Sequence, residues 1–168
     1  LYREWFVNFR FPGCEKVKFV DSELGKIPKG WEQAVFTDIA EILSGGTPST
    51  KVPDYWNGAI PWFTPRDATG SFFVIDTEKR ITQKGVENCA SDRYPKNTIF
   101  ITARGTVGKL VLAAVPMAVN QSCYAVWSKP DYGQRFIYLM LHAQIDYLKK
   151  NTGGATFDTI ITDTFRRM

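Results

Sequence analysis

Few residues of this chain have the types and spacing that chemistry needs. His142 is the single histidine. A Ser-His-Asp or Cys-His centre would depend on it, and it falls inside a helical pattern where a structural role is the expectation. Cys14, Cys89 and Cys123 are odd in number and widely spaced, with no Cys-x-x-Cys pair, which argues against a disulfide framework and a zinc site. Arg104-Gly-Thr-Val-Gly-Lys109 has the tail of a phosphate-cradling Walker loop. Ala103 stands where the first glycine belongs, however, and Leu110 where a magnesium-binding hydroxyl belongs. Pro53-Asp54 could open a metal-dependent nuclease site, which requires a second acid two positions before a lysine to hold metal and water. No Asp or Glu here has a lysine two residues later. The Asn/Asp-Pro-Pro-aromatic grip of amino-methyltransferases and a Gly-x-Gly methyl-donor loop are both absent. Asp76 and Glu78 read as solvated surface rather than a paired-carboxylate site.

Binding chemistry fits the residues better. Thr47, Ser49, Thr50 and Lys51 share one polar loop; Arg104, Thr106 and Lys109 share another. These are the side chains that contact phosphates and base edges. Asn120 and Gln121 are adjacent amides before an expected strand. Such amides either read adenine bidentately or satisfy buried backbone groups, and both readings stay open. The glycines beside Arg104 suit either a tight turn or close approach to a backbone.

The elements that would position these groups follow from pattern. Ser44 to Phe63 is organised around Gly45-Gly46, which allow positive φ or close approach to a partner, and Pro48, Pro53 and Pro61, which forbid a continuous helix. Its far end, with Tyr55, Trp56, Trp62 and Phe63, should anchor in a core and run into a strand at Ile60–Thr64. Leu1, Trp5 and Phe9 lie on one helical face that Phe11-Pro12-Gly13 ends. Residues 14–30 read as extended and irregular, with a possible short strand at Lys16–Val20. Trp31–Phe36 reads as a strand start, and Pro65–Ala68 as a turn opened by proline. Further strands are expected at Phe72–Ile75, Thr98–Thr102, Leu110–Val115 and Ser122–Ser128, with a short helix at Thr82–Cys89. Gln134–Lys150 is expected as one long helix with Ile137, Leu141, Ile145 and Leu148 inward, stopped by Gly153-Gly154. Thr162–Phe165 starts one more turn. These elements make an α+β (mixed α/β) domain with a twisted mixed sheet, one long helix and extended loops.

Composition sets the frame. The 168 residues suffice for one domain with a sizeable core. Hydrophobic content of 44% and charged content of 23% are those of a soluble globular protein. No apolar run reaches membrane-spanning length and there is no signal-peptide pattern, so no membrane role and a cytoplasmic location are expected. The chain opens on Leu1 rather than Met and is expected to be part of a longer protein. Net charge is +4 but uneven: residues 1–60 carry seven Lys/Arg against eight Asp/Glu, and residues 61–168 fourteen against nine. That asymmetry suits a polyanion partner.

Four phrases occur in a telling order: Trp5-Phe-Val-Asn-Phe with Asp21-Ser-Glu-Leu-Gly-Lys-Ile-Pro-Lys-Gly-Trp31; Gly45-Gly-Thr-Pro-Ser with Tyr55-Trp-Asn-Gly-Ala-Ile-Pro-Trp62; Arg104-Gly-Thr-Val-Gly-Lys109 with Asn120-Gln121; and Gly154-Ala-Thr-Phe-Asp-Thr-Ile-Ile161 with Asp163-Thr-Phe-Arg-Arg-Met168. Together they resemble, over most of the chain, the target-recognition domain of the specificity (S) subunit of type I restriction-modification systems (the HsdS family). The resemblance implies residues 1–13 as the end of a spacer helix and 14–168 as one DNA target-recognition domain. It implies a non-catalytic reader of one half of a bipartite double-stranded DNA target, working with methyltransferase (M) subunits and a restriction (R) subunit. S-adenosylmethionine, ATP and Mg²⁺ would belong to those partners, with no cofactor in this chain. Members carry two such domains joined by two long helices, whereas this chain has one domain. Its entry phrase fits the second domain of a parent or an entry after the first spacer in a rearranged gene. The expected DNA face is Thr47, Ser49, Thr50, Lys51, Arg104, Thr106, Lys109, Asn120 and Gln121. The competing readings are a fragment of a DNA methyltransferase or nuclease, and a protein- or carbohydrate-interaction module. The last would use Trp56 and Trp62 as exposed coplanar rings, whereas the DNA reading expects them mainly buried.

Overall fold

The computed structural model describes residues 1–152 and 159–168. The helix stop at Gly153-Gly154 and the phrase from Gly154 through residue 158 lie outside the described residues. The chain divides into two compact units, Leu1–Ala34 and Val35–Met168.

The first unit is a single helical turn, Arg3–Val7, followed by a hairpin of β1 (Phe19–Ser22) and β2 (Gly25–Pro28). Val20 pairs with Ile27, and Gly25 at φ +96° closes the turn, with Ser22 Oγ donating to its carbonyl at 2.5 Å. The segment read as irregular is therefore partly a hairpin, whose first strand begins three residues and ends two residues beyond the strand expected at Lys16–Val20. Aromatics gather on Trp31, with Phe9 edge-on at 5.5 Å and Phe11 stacked at 6.0 Å. Trp31 thus ends an aromatic cluster and does not begin a strand.

The second unit opens with one turn of helix, α1 (Phe36–Ile39), which passes directly into β3 (Ala40–Ser44). Then come β4 (Trp56–Phe63), β5 (Phe73–Val74), β6 (Arg80–Ile81), α2 (Gln83–Glu87), β7 (Ile99–Thr102), β8 (Leu110–Ala113), β9 (Ala118–Val119), β10 (Cys123–Ser128), α3 (Gln134–Ala143), α4 (Ile145–Lys150) and α5 (Thr162–Arg166). Five strands form a mixed sheet in the order β3-β10-β7-β8-β5, antiparallel except for β5 beside β8. Three form a second sheet, β6-β4-β9, in which β4 and β9 run parallel.

The central strands of the larger sheet, β7, β8 and β10, are largely buried on both faces, so they lack the usual polar alternation. Ile99, Ile101, Leu112 and Val126 face one core with Phe36, Ile137, Leu141, Leu148, Ile160 and Phe165. That core is roofed by the helices. Phe100, Val111, Ala113, Cys123 and Ala125 face the other, against Phe63, Tyr94, Met117 and Val119. A third cluster of Ile60, Trp62, Ile81, Val86 and Ala118 fills the small sheet and α2.

The segment read as one long helix is helical on both sides of a break at Gln144, whose φ is −103° and ψ 9°. Its N–H is shared between the carbonyls of Met140 and Leu141 at 3.1 and 3.0 Å, the three-centre bond of a helix end. No helix among the described residues is long and apolar enough to cross a membrane.

Candidate nucleic-acid interface

Gly45 and Gly46 carry the chain out of β3 through a narrow crossing. A Cβ on Gly45 would strike the Asn120 carbonyl; one on Gly46 would lie 2.7 Å from Ser91 N and 2.9 Å from Ala90 Cα. Gly46 N–H donates to the Val119 carbonyl at 2.9 Å, and Trp62 Nε1 donates to the Gly46 carbonyl at 3.0 Å. The double glycine serves close backbone approach, not a left-handed turn.

This crossing presents Thr47 to Gln121. The two exposed side chains are hydrogen-bonded, Thr47 Oγ1 to Gln121 Oε1. One residue on, the Ser122 carbonyl accepts from Ala103 N at 2.8 Å and Arg104 N at 3.2 Å. The Gly-Gly-Thr loop, the Asn120–Ser122 turn and the Arg104 turn therefore meet around residues 121–122, although they lie far apart in sequence.

The remaining candidates divide. Asn120 is half-buried and holds its own turn: Oδ1 accepts from Ser122 N at 3.1 Å, and its carbonyl accepts from Cys123 N at 3.1 Å. The backbone-satisfying role expected of a buried amide is thus present at Asn120, while Gln121 faces outward. Arg104 and Thr106 are exposed on the turn joining β7 to β8. Thr102 Oγ1 braces that turn by donating to the Thr106 carbonyl and accepting from Lys109 N at 3.0 Å. Lys109 points its ammonium at the Ala68 carbonyl, 2.8 Å away. Ser49, Thr50 and Lys51 are exposed on a tip held by Trp56 Nε1, which donates to the Ser49 carbonyl at 3.1 Å. No hydrogen bond or ion pair among the described residues links that tip to the other two loops.

Charge is committed unevenly. Arg80 pairs with Asp76 at 2.6 Å and also caps the Ala59 carbonyl, Lys84 pairs with Asp54 at 3.2 Å, and Arg167 pairs with Asp163 at 2.6 Å. Lys51 and Arg104 have no acidic partner among the described residues. Lys149, near the end of α4 and not singled out by the sequence, joins them: its aliphatic stem lies on Gly108. The one sequence signal for this was its spacing of four from Ile145, which shares the same contact.

Other features bear on the competing chemistries. Trp62 is buried and Trp56 half-buried, with rings perpendicular at 5.2 Å. That is the packing expected of a core anchor and not a coplanar sugar platform. His142 is exposed on α3 and stacks on Tyr138 at 6.3 Å. It lines a cavity of about 590 Å³ with Lys109 and Asp146. Burial pushes the Cys123 thiol far above its ordinary range, so it is no nucleophile.

The sequence model of a family described as "Type I restriction modification DNA specificity domain" matches residues 28–168. The type I restriction enzyme MjaIX specificity subunit of Methanocaldococcus jannaschii is 33% identical over 168 residues, covering 98% of this chain and 38% of that protein. The EcoR124I/EcoR124II specificity subunit of Escherichia coli is 33% identical over 126 residues, covering 70% of this chain and 31% of that protein. The chain thus spans between about a third and two-fifths of these curated relatives. Among solved structures, a chain from work on complex assembly and conformational transition of the type I R-M system superposes with TM-score 0.64 at 17% identity. It covers 97% of this chain and 38% of its own length. The HsdS subunit from Thermoanaerobacter tengcongensis superposes with TM-score 0.60 at 17% identity, covering 85% of this chain and 34% of its own. These two likenesses show the fold.

Proposed function

Because the chain belongs to the type I restriction modification DNA specificity domain family, we propose that it is a non-catalytic target-recognition module reading one half of a bipartite DNA target. The observation that supports this reading is the meeting of three separate loops at residues 121–122, which gathers the exposed residues Thr47, Gln121 and Arg104, the last without an acidic partner among the described residues. The surface offers hydroxyl, amide and guanidinium groups, the set that phosphates and base edges accept. Residues 1–13 serve in this reading as the end of a spacer helix. The M and R subunits are the partners, and they hold S-adenosylmethionine, ATP and Mg²⁺.

The isolated chain has half a target, so it loses the effective-concentration gain of two linked readers, often ~10²–10⁴-fold. Weak, salt-sensitive duplex binding is the expected outcome. About four phosphate contacts give a slope near −3.6 in log affinity against log salt. Selecting bound sequences from a random duplex pool, with the parent subunit and its methyltransferase, tests the reading: one enriched half-site should depend on this chain. Failure to bind duplex at 50 mM salt, or turnover of DNA by the chain alone with S-adenosylmethionine or Mg²⁺, would overturn it.

A further inference from the structure

The turn between β7 and β8 has a row of backbone donors without acceptors among the described residues. Gly105 and Gly108 sit at φ +75° and +83°. The flanking N–H groups are all bonded: Arg104 to the Ser122 carbonyl at 3.2 Å, Gly108 to the Thr102 carbonyl at 2.8 Å, and Lys109 to Thr102 Oγ1 at 3.0 Å. Between them, the N–H groups of Gly105, Thr106 and Val107 have no acceptor among the described residues. Successive unpaired amides beside left-handed residues are the material of anion-binding nests.

Two cations flank this row. Arg104 begins it, exposed and without an acidic partner among the described residues. Lys149 of α4 closes it. A Cβ built on Gly108 would lie 3.0 Å from Lys149 Cε and 3.5 Å from its Cγ, with Ile145 Cγ2 at 3.4 Å. The lysine stem therefore lies flat on the glycine, and its ammonium is one bond beyond. Lys109, by contrast, is drawn to the Ala68 carbonyl.

We propose that Gly105–Val107, Arg104 and Lys149 form a phosphodiester-binding site that fixes the register of the domain on DNA without reading sequence. The proposal rests on the DNA reading above and divides its labour: this turn positions, and the Thr47–Gln121 surface is left to face bases. A phosphodiester carries its acceptor oxygens around one charged centre, on which amide, guanidinium and ammonium donors can converge. The missing Walker residues at Ala103 and Leu110 leave a cradle suited to one phosphate rather than a magnesium triphosphate.

Lys149→Met keeps the apolar stem over Gly108 and removes the charge; Lys149→Arg keeps the charge. Duplex affinity is measured from 50 to 200 mM salt on several unrelated sequences, with thermal unfolding as the folding control. Lys149→Met and Arg104→Gln should each weaken all sequences alike and flatten the salt slope by about one unit, while Lys149→Arg retains it. In ¹H–¹⁵N spectra the Gly105, Thr106 and Val107 amides should shift with duplex. Inorganic phosphate is titrated in parallel. If phosphate saturates these amides while Lys149→Met leaves duplex binding unchanged, the turn is a free-anion site and the proposal falls. It also falls if folded variants keep the wild-type slope while wild-type protein binds duplex. Absence of wild-type binding would instead remove the DNA reading itself.

Discussion

At Gly46 there is no room for one methyl group, and the atoms in the way are backbone. Side-chain rotation cannot relieve a contact with Ser91 N at 2.7 Å or Ala90 Cα at 2.9 Å, so Gly46→Ala must push two chain segments apart. A loss of about 1–3 kcal/mol is expected, the usual cost of overpacking, read as a lowered urea midpoint. A change below about 0.5 kcal/mol would mean that the crossing is loose. The sequence marked these glycines as allowing either positive φ or close approach. It could not choose, because the obstructing residues lie 44 or more positions away along the chain. Gln121 shows the same limit: its partner Thr47 is 74 residues away, and no local pattern announces the pair. Residue types at the candidate surface were readable; which of them meet was not.

Elements were readable where local preference and burial agree. The short α2 is an instance. Thr82 Oγ1 accepts from Gly85 N at 3.0 Å as an N-cap and donates to the Asp54 carbonyl at 2.8 Å, tying α2 to the 3₁₀ turn before β4. Thr82→Ala should cost about 1 kcal/mol in chemical unfolding, and Thr82→Ser much less. Equal losses from both would assign the effect to the methyl group. The strands β7, β8 and β10 announce themselves because they are largely buried and every position but Ser128 is apolar or β-branched. In contrast, β6 and β9 have two residues each and exist only because β4 offers both its edges. The break at Gln144 was equally silent, since no Gly or Pro marks it and Ile137, Leu141, Ile145 and Leu148 keep helical spacing across it.

For the molecule as a whole, its buried thiol and phenols make stability depend on alkaline pH. Burial, and secondarily the Asp67 charge, pushes the Cys123 thiol far above its ordinary 9.0. Burial also raises Tyr94 and Tyr138 above 10.0. Each group is neutral when protonated, and the native state holds its proton to higher pH than the unfolded chain does. The stabilisation is therefore complete below the unfolded values and declines as pH rises past them. One thiol held this way gives a slope of about 1.4 kcal/mol per pH unit above about 9. Urea unfolding should be flat from pH 6 to 8 and weaken by pH 10, and Cys123→Ala should weaken less over the same interval. Parallel profiles would show that the thiol is not the source.

The strand order also has a consequence for how the chain is made. Ser44 at the end of β3 pairs with Tyr124, and β10 lies between β3 and β7 in the finished sheet. During vectorial synthesis at about 5–20 residues per second, β3 waits roughly 4–16 s for the ~80 residues that bring its partner off the ribosome. Its backbone donors and acceptors, and the Gly45-Gly46 crossing against Val119 and Asn120, stay unmade throughout that interval. The nascent chain thus exposes an unpaired strand until β10 has left the ribosome, and a ribosome stalled earlier would leave that edge open.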